Sequence, residues 1–256
     1  TNLINGLFGR DFPPDSTVSR PNGDFIRLDL KGRYSDVFVT IARQHTFHLE
    51  AQTSTDSRIA LRVFEYSFHY AMSAQALPDS LHFPESIVIY LGQAKNIPEG
   101  NILHFSFEGQ GNFIYHVKNF SYLEHDTEGL ALKKMAAFIP FQTLRLRTLL
   151  RAGRPGGRKA DFDPDKFSRL QDTVRHDIIG TIETSLRMGY LTADDAKQLY
   201  EITNFLDEHI RHEFSIKMEG AKEFMKPLLP GALELPNDKY RLRIAELEQE
   251  NAKFAD

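Results

Sequence analysis

Up to about residue 125, short aromatic and β-branched runs alternate with turns, whereas beyond about residue 126 the apolar positions recur at helical spacing. In the first stretch a short apolar turn, Leu3 to Phe8, ends at Gly9, and residues 24–30 have the composition of a strand. Tyr34 to Ile41 and Thr46 to Gln52 alternate at period two and predict a hairpin. Residues 56–76 carry Ile59, Val63, Phe64, Phe68 and Ala71 at the spacing of a helix. Ser86 to Leu91 is a continuous apolar run, which predicts a central strand covered on both faces. Ile102 to Phe107 and Phe113 to Val117 flank the turn sequence EGQGN and predict a second hairpin. The order strand, strand, helix, strand, strand, strand predicts a mixed α/β core over residues 1–125.

Residues 126–256 read as a helical region. Thr127 to about Arg151 is rich in Ala and Leu and is interrupted near Pro140. A helix is expected at 164–188, with Asp163 as its N-cap, Pro164 in its first turn and Gly189 as its stop. Phe167, Leu170, Val174, Ile178, Ile182 and Leu186 form its apolar stripe. Thr192 caps the next helix, with Asp194 and Asp195 favouring its positive end. Residues 237–253 predict a short charged terminal helix. The Gly- and Pro-rich stretch 151–160 predicts a basic linker. The helical region also offers faces for homo-oligomerisation.

Composition narrows the chemistry. Among 256 residues there is no Cys, which excludes a disulfide scaffold, a zinc finger and a thiol nucleophile. A net charge of −4 excludes a polybasic protein but allows a local basic surface. Such a surface is visible at 129–160, where Lys133, Lys134, Arg145, Arg147, Arg151, Arg154, Arg158 and Lys159 occur without a single acid. That run is a candidate for contacts to the phosphate backbone of DNA, or else a solvated helix flank. No stretch reaches the length of apolar sequence that spans a membrane. The first residues show no basic region followed by an apolar run, so the cytoplasm is the expected compartment; the chain begins with Thr, so residues upstream are expected.

The hairpin at residues 33–53 carries the most informative chemistry. With its turn around Arg43, Asp36 and Glu50 are equidistant from the turn and oppose each other across the ladder. Val37, Val39, Ile41, Phe47, Leu49 and Ala51 then share one face, and Asp36, Glu50 and Gln52 share the other. Two carboxylates at about 4 Å and an effective dielectric near 20 repel by roughly 4 kcal/mol. A proton, a basic neighbour such as Arg62, or a divalent cation must offset that repulsion. Hard oxygen ligands suit Mg²⁺ or Mn²⁺.

The succession of Asp36, a hairpin, Glu50-x-Gln52 and the helix RIALRVFEYSFHYA resembles the PD-(D/E)xK nuclease superfamily. Within it the chain is most similar to the PD-(D/E)xK nuclease family transposases, related to the Rpn recombination-promoting nucleases. The resemblance extends through FPESIVIYL, KKMAAFIPFQTLRLR and MGYLTADDAKQLYEIT. It implies a nuclease-like mixed-sheet core followed by a helical region, and Mg²⁺-dependent DNA cleavage linked to mobile elements or recombination. It further implies that Asp36 and Glu50 are the two motif acids, that Gln52 stands at the motif lysine, and that the carbonyl of Ala51 joins Asp36 and Glu50 as a metal ligand. Gln52 can orient water or touch a phosphate oxygen but carries no charge.

Around this core, Arg62, His48, Arg145, Arg147 and Arg151 are candidates for substrate contact. Tyr66 and His69 share the Arg62 side of their helix. His209 and His212 lie three apart on a helix but lack a third zinc ligand and the HExxH spacing. Two further readings stay open: a catalytically silent DNA-binding descendant, because Gln52 is neutral, and an oligomerising interaction module whose acid pair is merely neutralised.

Overall fold

The structure is a computed structural model and describes residues 1–20, 36–74, 80–92, 97–152, 163–217 and 227–228. The strand expected at 24–30, the linker residues 153–160 and the terminal helix expected at 237–253 lie outside the described residues. The chain divides into two compact units, Thr1–Glu124 and His125–Asp256.

The first unit is a mixed α/β fold on a six-stranded sheet. Helix α1 (Asn2–Phe8) is followed by β1 (Val18–Ser19), β2 (Asp36–Ile41), β3 (His45–Gln52), α2 (Ile59–Ala74), β4 (Glu85–Tyr90), β5 (Gly100–Phe107) and β6 (Gly111–Ser121). The strand order is β1-β2-β3-β4-β6-β5. β1, β2 and β3 pair antiparallel, β3–β4 and β4–β6 pair parallel, and β5 closes the sheet antiparallel to β6.

Both faces of the central strands are covered, which is why β4 reads as an unbroken apolar run. On one face α2 buries Ile59 and Val63 against Val88, Tyr90 and Val117. On the other, α1 contributes buried Ile4, Leu7 and Phe8, and Phe8 packs on Phe47 with ring centroids 4.6 Å apart. The buried stripe of α2 is Ile59, Val63, Ser67 and Ala71, whereas Phe68 stays at the surface. Ile59, Val63 and Ala71 are thus buried as expected and Phe64 is half-buried, while Ser67 rather than Phe68 continues the stripe.

The second unit contains α3 (Thr127–Leu132), a 3-10 stretch (Ala136–Arg145), α4 (Leu146–Ala152), α5 (Pro164–Arg187) and α6 (Ala193–Lys217). The interruption expected at Pro140 begins earlier. Lys134 takes a left-handed φ of 59°, and the Met135 and Lys134 N–H groups donate to the Leu130 and Ala131 carbonyls, closing α3 before the proline is reached. Asp163 caps α5 by accepting from the Asp165 and Lys166 N–H groups. Thr192 and Asp195 cap α6 reciprocally: the Thr192 hydroxyl accepts from the Asp195 N–H, and the Asp195 carboxylate accepts from the Thr192 N–H. Among the described residues no helix is long and apolar enough to cross a membrane.

Candidate active site

The candidate site is built by the hairpin of β2 and β3. Its turn holds Ala42 at φ 53° and Arg43 at φ 58°, with the Gln44 N–H donating to the Ile41 carbonyl at 3.1 Å. Two consecutive left-handed residues give the sharp reversal that matches strand twist. That turn fixes the register, and Asp36 pairs with Glu50 across the ladder. The Asp36 side chain lies outside what the structure describes, so its carboxylate is placed only by this pairing.

Glu50 and Gln52 stand near the carboxyl end of β3, level with Val88 and Tyr90 of its parallel neighbour. This edge, outside the carboxyl ends of parallel strands, is where open α/β sheets bind ligands. The ends of β3 and β4 are held close there. The Leu91 N–H donates to the Gln52 carbonyl at 2.7 Å, and a Cβ added to Gly92 would lie 1.7 Å from the Thr53 carbonyl oxygen. Only glycine fits that approach.

The polar face of the hairpin is covered rather than solvated. Glu50 is fully buried beneath α2. Its Oε1 accepts from the Arg62 guanidinium and from the Gln52 amide. Arg62 also reaches Asp56 at 3.3 Å and remains about one-third exposed, at the mouth of the cluster. A buried carboxylate needs such a partner, because removing one member of a buried pair typically costs about 3–5 kcal/mol. At the Glu50 end, the repulsion expected from Asp36 is thus opposed by a guanidinium. Burial raises the phenol of Tyr66 above its ordinary value, with Arg62 opposing the shift. The same cause raises Tyr90.

His48 lies two residues before Glu50 on the same face and is likewise fully buried. Its ring is stacked on Phe38 at 4.4 Å, and Phe38 is stacked on Tyr70 at 4.9 Å. Its Nδ1 shares a hydrogen bond with the Ser67 hydroxyl at 3.1 Å, and Ser67 contacts Ser86 at 3.1 Å. The Tyr115 hydroxyl completes the network by donating to Ser86 at 3.1 Å. Desolvation by burial pushes the His48 pKa down from 6.5 to about 3. The ring is therefore neutral at physiological pH. Ser67, Ser86, Tyr115 and Asp56 were not singled out from the sequence. The usable signal for Asp56 was its place three residues before the first residue of α2, where its carboxylate accepts from the Arg58 N–H at 2.8 Å. For the serines it was a small polar residue inside an otherwise apolar stripe.

The basic run is divided in its use. Arg145 donates to the His125 carbonyl at 3.0 Å, and Arg147 is ion-paired with Glu213. Arg151 is exposed at the end of α4, while Arg154, Arg158 and Lys159 lie outside the described residues. These arginines belong to the second unit and Asp36, Glu50, Gln52 and Arg62 to the first. His209 and His212 are exposed on α6. Among the described residues no three His, Asp or Glu side chains form a metal-holding group, and the Asp36 side chain is not among those described.

Compared with protein-family models, with curated proteins and with solved structures, the chain gives no match.

Proposed function

We propose that the first unit is a PD-(D/E)xK-like core and that the chain is a Mg²⁺- or Mn²⁺-dependent DNA endonuclease of the kind linked to mobile elements or recombination, with a helical region after the core. The observation that carries this reading is the pairing of Asp36 with buried Glu50 at the carboxyl edge of the parallel strands. A buried carboxylate such as Glu50 is costly, and such acids cluster where chemistry uses them.

The donor set fits a hard divalent cation: two carboxylates, from Asp36 and Glu50, with the Ala51 carbonyl between Glu50 and Gln52. When bound, the cation would polarise a phosphate oxygen and lower the pKa of an attacking water. The chain's own residues divide the remaining work. Glu50 is held in place by the Gln52 amide and by Arg62. Arg62 can change partners, because its guanidinium is partly exposed and already divides itself between Glu50 and Asp56. Leaving Glu50, it would meet a phosphate oxygen with a planar pair of donors. Gln52 orients water and supplies no charge. In the second unit, Arg151 is exposed for the DNA backbone, whereas Arg145 and Arg147 chiefly hold their own unit together.

One observation favours a second reading. The Arg62–Glu50 ion pair satisfies the acid without a cation, which suits a silent DNA-binding descendant. Nicking of supercoiled plasmid separates the two readings. It is measured with Mg²⁺, with Mn²⁺ and with chelator, for the parent, Asp36→Asn and Glu50→Gln. The nuclease reading expects each variant to lose on the order of 100-fold or more in rate. A parent that cleaves no faster than Asp36→Asn in either metal, yet binds DNA, leaves the silent binder.

A further inference from the structure

We infer that two copies of the chain pair through the open edge of the six-stranded sheet, β5 against β5, as a two-fold dimer with one continuous sheet. The two edges of the sheet are unlike. One ends in β1, which is two residues long, and so short an edge offers little to pair with. The other ends in β5, eight residues from Gly100 to Phe107, which pairs with β6 at every position without a bulge. β5 contains no proline and no Asp, Glu, Lys or Arg, the residues that ordinarily guard an edge strand against pairing.

The backbone row on this edge is open. The Asn119 N–H donates to the Glu99 carbonyl at 3.0 Å, which makes that pair, and every second pair after it, the hydrogen-bonded kind. Leu103 and Phe105 therefore direct their N–H and C=O groups to β6, while Ile102, His104 and Ser106 turn theirs outward. Among the described residues no strand lies beyond β5 to meet them.

Apolar side chains surround the row on both faces. Ile102 and Ile114 are exposed on one face. On the other, Phe107 and Phe113 join Phe68 and Phe83 through ring contacts with Phe105 and Phe64. Phe107 and Phe113 are 54% and 58% exposed, and Phe68 and Phe83 37% and 38%. At about 200 Å² for a whole aromatic side chain, the four offer roughly 400 Å², half of the ~800 Å² that each partner of a stable interface buries. Ile102, Ile114 and a strand about 27 Å long supply the rest. An antiparallel row of donors and acceptors is complementary to itself under a two-fold axis normal to the sheet, and that axis sets the two aromatic faces side by side. A second copy therefore meets both the backbone and the apolar requirement of the edge. Glu99 and Glu108 stand just beyond the two ends of β5, so the aromatic face does not suit a polyanion.

The test uses the full chain. Sedimentation equilibrium should give twice the 29.3 kDa of one chain, with a dissociation constant in the micromolar range that suits an interface of modest area. Hydrogen exchange resolved to single amides should alternate along β5. The Ile102, His104 and Ser106 amides are expected to be protected where the dimer forms and to lose protection on dilution, while Leu103 and Phe105 stay protected throughout. Two variants address the same edge. Ile102→Lys puts a charge into the paired strand, and His104→Pro removes an outward N–H that β6 does not use. Each should raise the dissociation constant at least about tenfold while the circular dichroism stays that of the parent. Because Ile102 is exposed, its replacement leaves the folded monomer intact should the proline disturb it. A single-chain mass up to about 100 µM, or a mass that keeps growing instead of closing at two copies, would overturn the inference. So would a dimer equally tight in both variants, or protection of the three outward amides that is unchanged on dilution.

Discussion

Lowering the pH should expose the cost of keeping His48 neutral. The imidazole is buried among Phe38, Tyr66, Ser67 and Ser86, none of which is ionised near neutral pH, and burial holds its pKa at about 3 against 6.5. Glu50, two residues along the strand, would favour a proton on the ring, but its charge is already matched by Arg62. The sign follows from where the proton goes. Below pH 6.5 the unfolded chain takes up a proton at this residue, while the folded chain does not until about pH 3. Stability is thus intact above 6.5 and is lost as pH falls through that window. At about 1.4 kcal/mol per pH unit, the loss between pH 7 and pH 4.5 is roughly 2.5 kcal/mol. His48→Gln, neutral throughout, keeps a partner for Ser67 and serves as the reference. Denaturant unfolding of both proteins at the two pH values isolates the difference, because the other titrating groups are common to both. The parent should lose about 2.5 kcal/mol more than the variant. Parallel losses, or an NMR titration in which the His48 ring protonates near its ordinary value, would refute the reasoning.

Arg62→Met should destabilise the first unit by about 3–5 kcal/mol, because Glu50 is left charged and buried; adding Glu50→Gln should restore most of the loss in a double-mutant cycle. Ala42→Asn with Arg43→Gly should raise stability by about 1 kcal/mol in denaturant melts, since Asn-Gly adopts this left-handed turn with less strain. Arg151→Gln should flatten the slope of log K for DNA against log salt by about 0.9 with no change in folding, whereas Arg147→Gln should lower thermal stability through its lost pair with Glu213.

The hairpin was legible because period-two alternation and the distances of Asp36 and Glu50 from the Arg43 turn fix a register by themselves. Sequence parity could not say what covers each face. It separates Glu50, His48 and Gln52 from Phe47 and Leu49, but Glu50 and His48 are buried, and Gln52 half-buried, beneath α2, which presents Arg62, Ser67 and Tyr70 to this face. Those three lie at helical spacing and complement the strand residue by residue, a match that appears once helix and strand are considered as a pair. The basic run was less legible for a different reason. Whether an arginine is available depends on partners remote in sequence, and Glu213 lies 66 residues from Arg147. Local charge density therefore overstated the free basic surface.

The charges at the carboxyl edge separate the two functional readings further. Asp36, Glu50 and Asp56 with Arg62 sum to a formal −2, from three carboxylates and one guanidinium. Arg62 balances part of this locally, but a phosphodiester approaching these four groups still meets their net negative charge and is repelled by them. One divalent cation brings the sum to zero and frees Arg62 for the phosphate. If this edge acts on DNA, a hard cation must strengthen binding at constant ionic strength, and Asp36→Asn must remove the effect. A silent binder that uses basic surface elsewhere expects the opposite, because Mg²⁺ competes with Lys and Arg for phosphate and weakens binding. Fluorescence anisotropy of a labelled duplex, with Mg²⁺ replacing NaCl at fixed ionic strength, reads the sign directly. Weaker binding with Mg²⁺, equal in the parent and in Asp36→Asn, would take the DNA away from this edge and the nuclease reading with it.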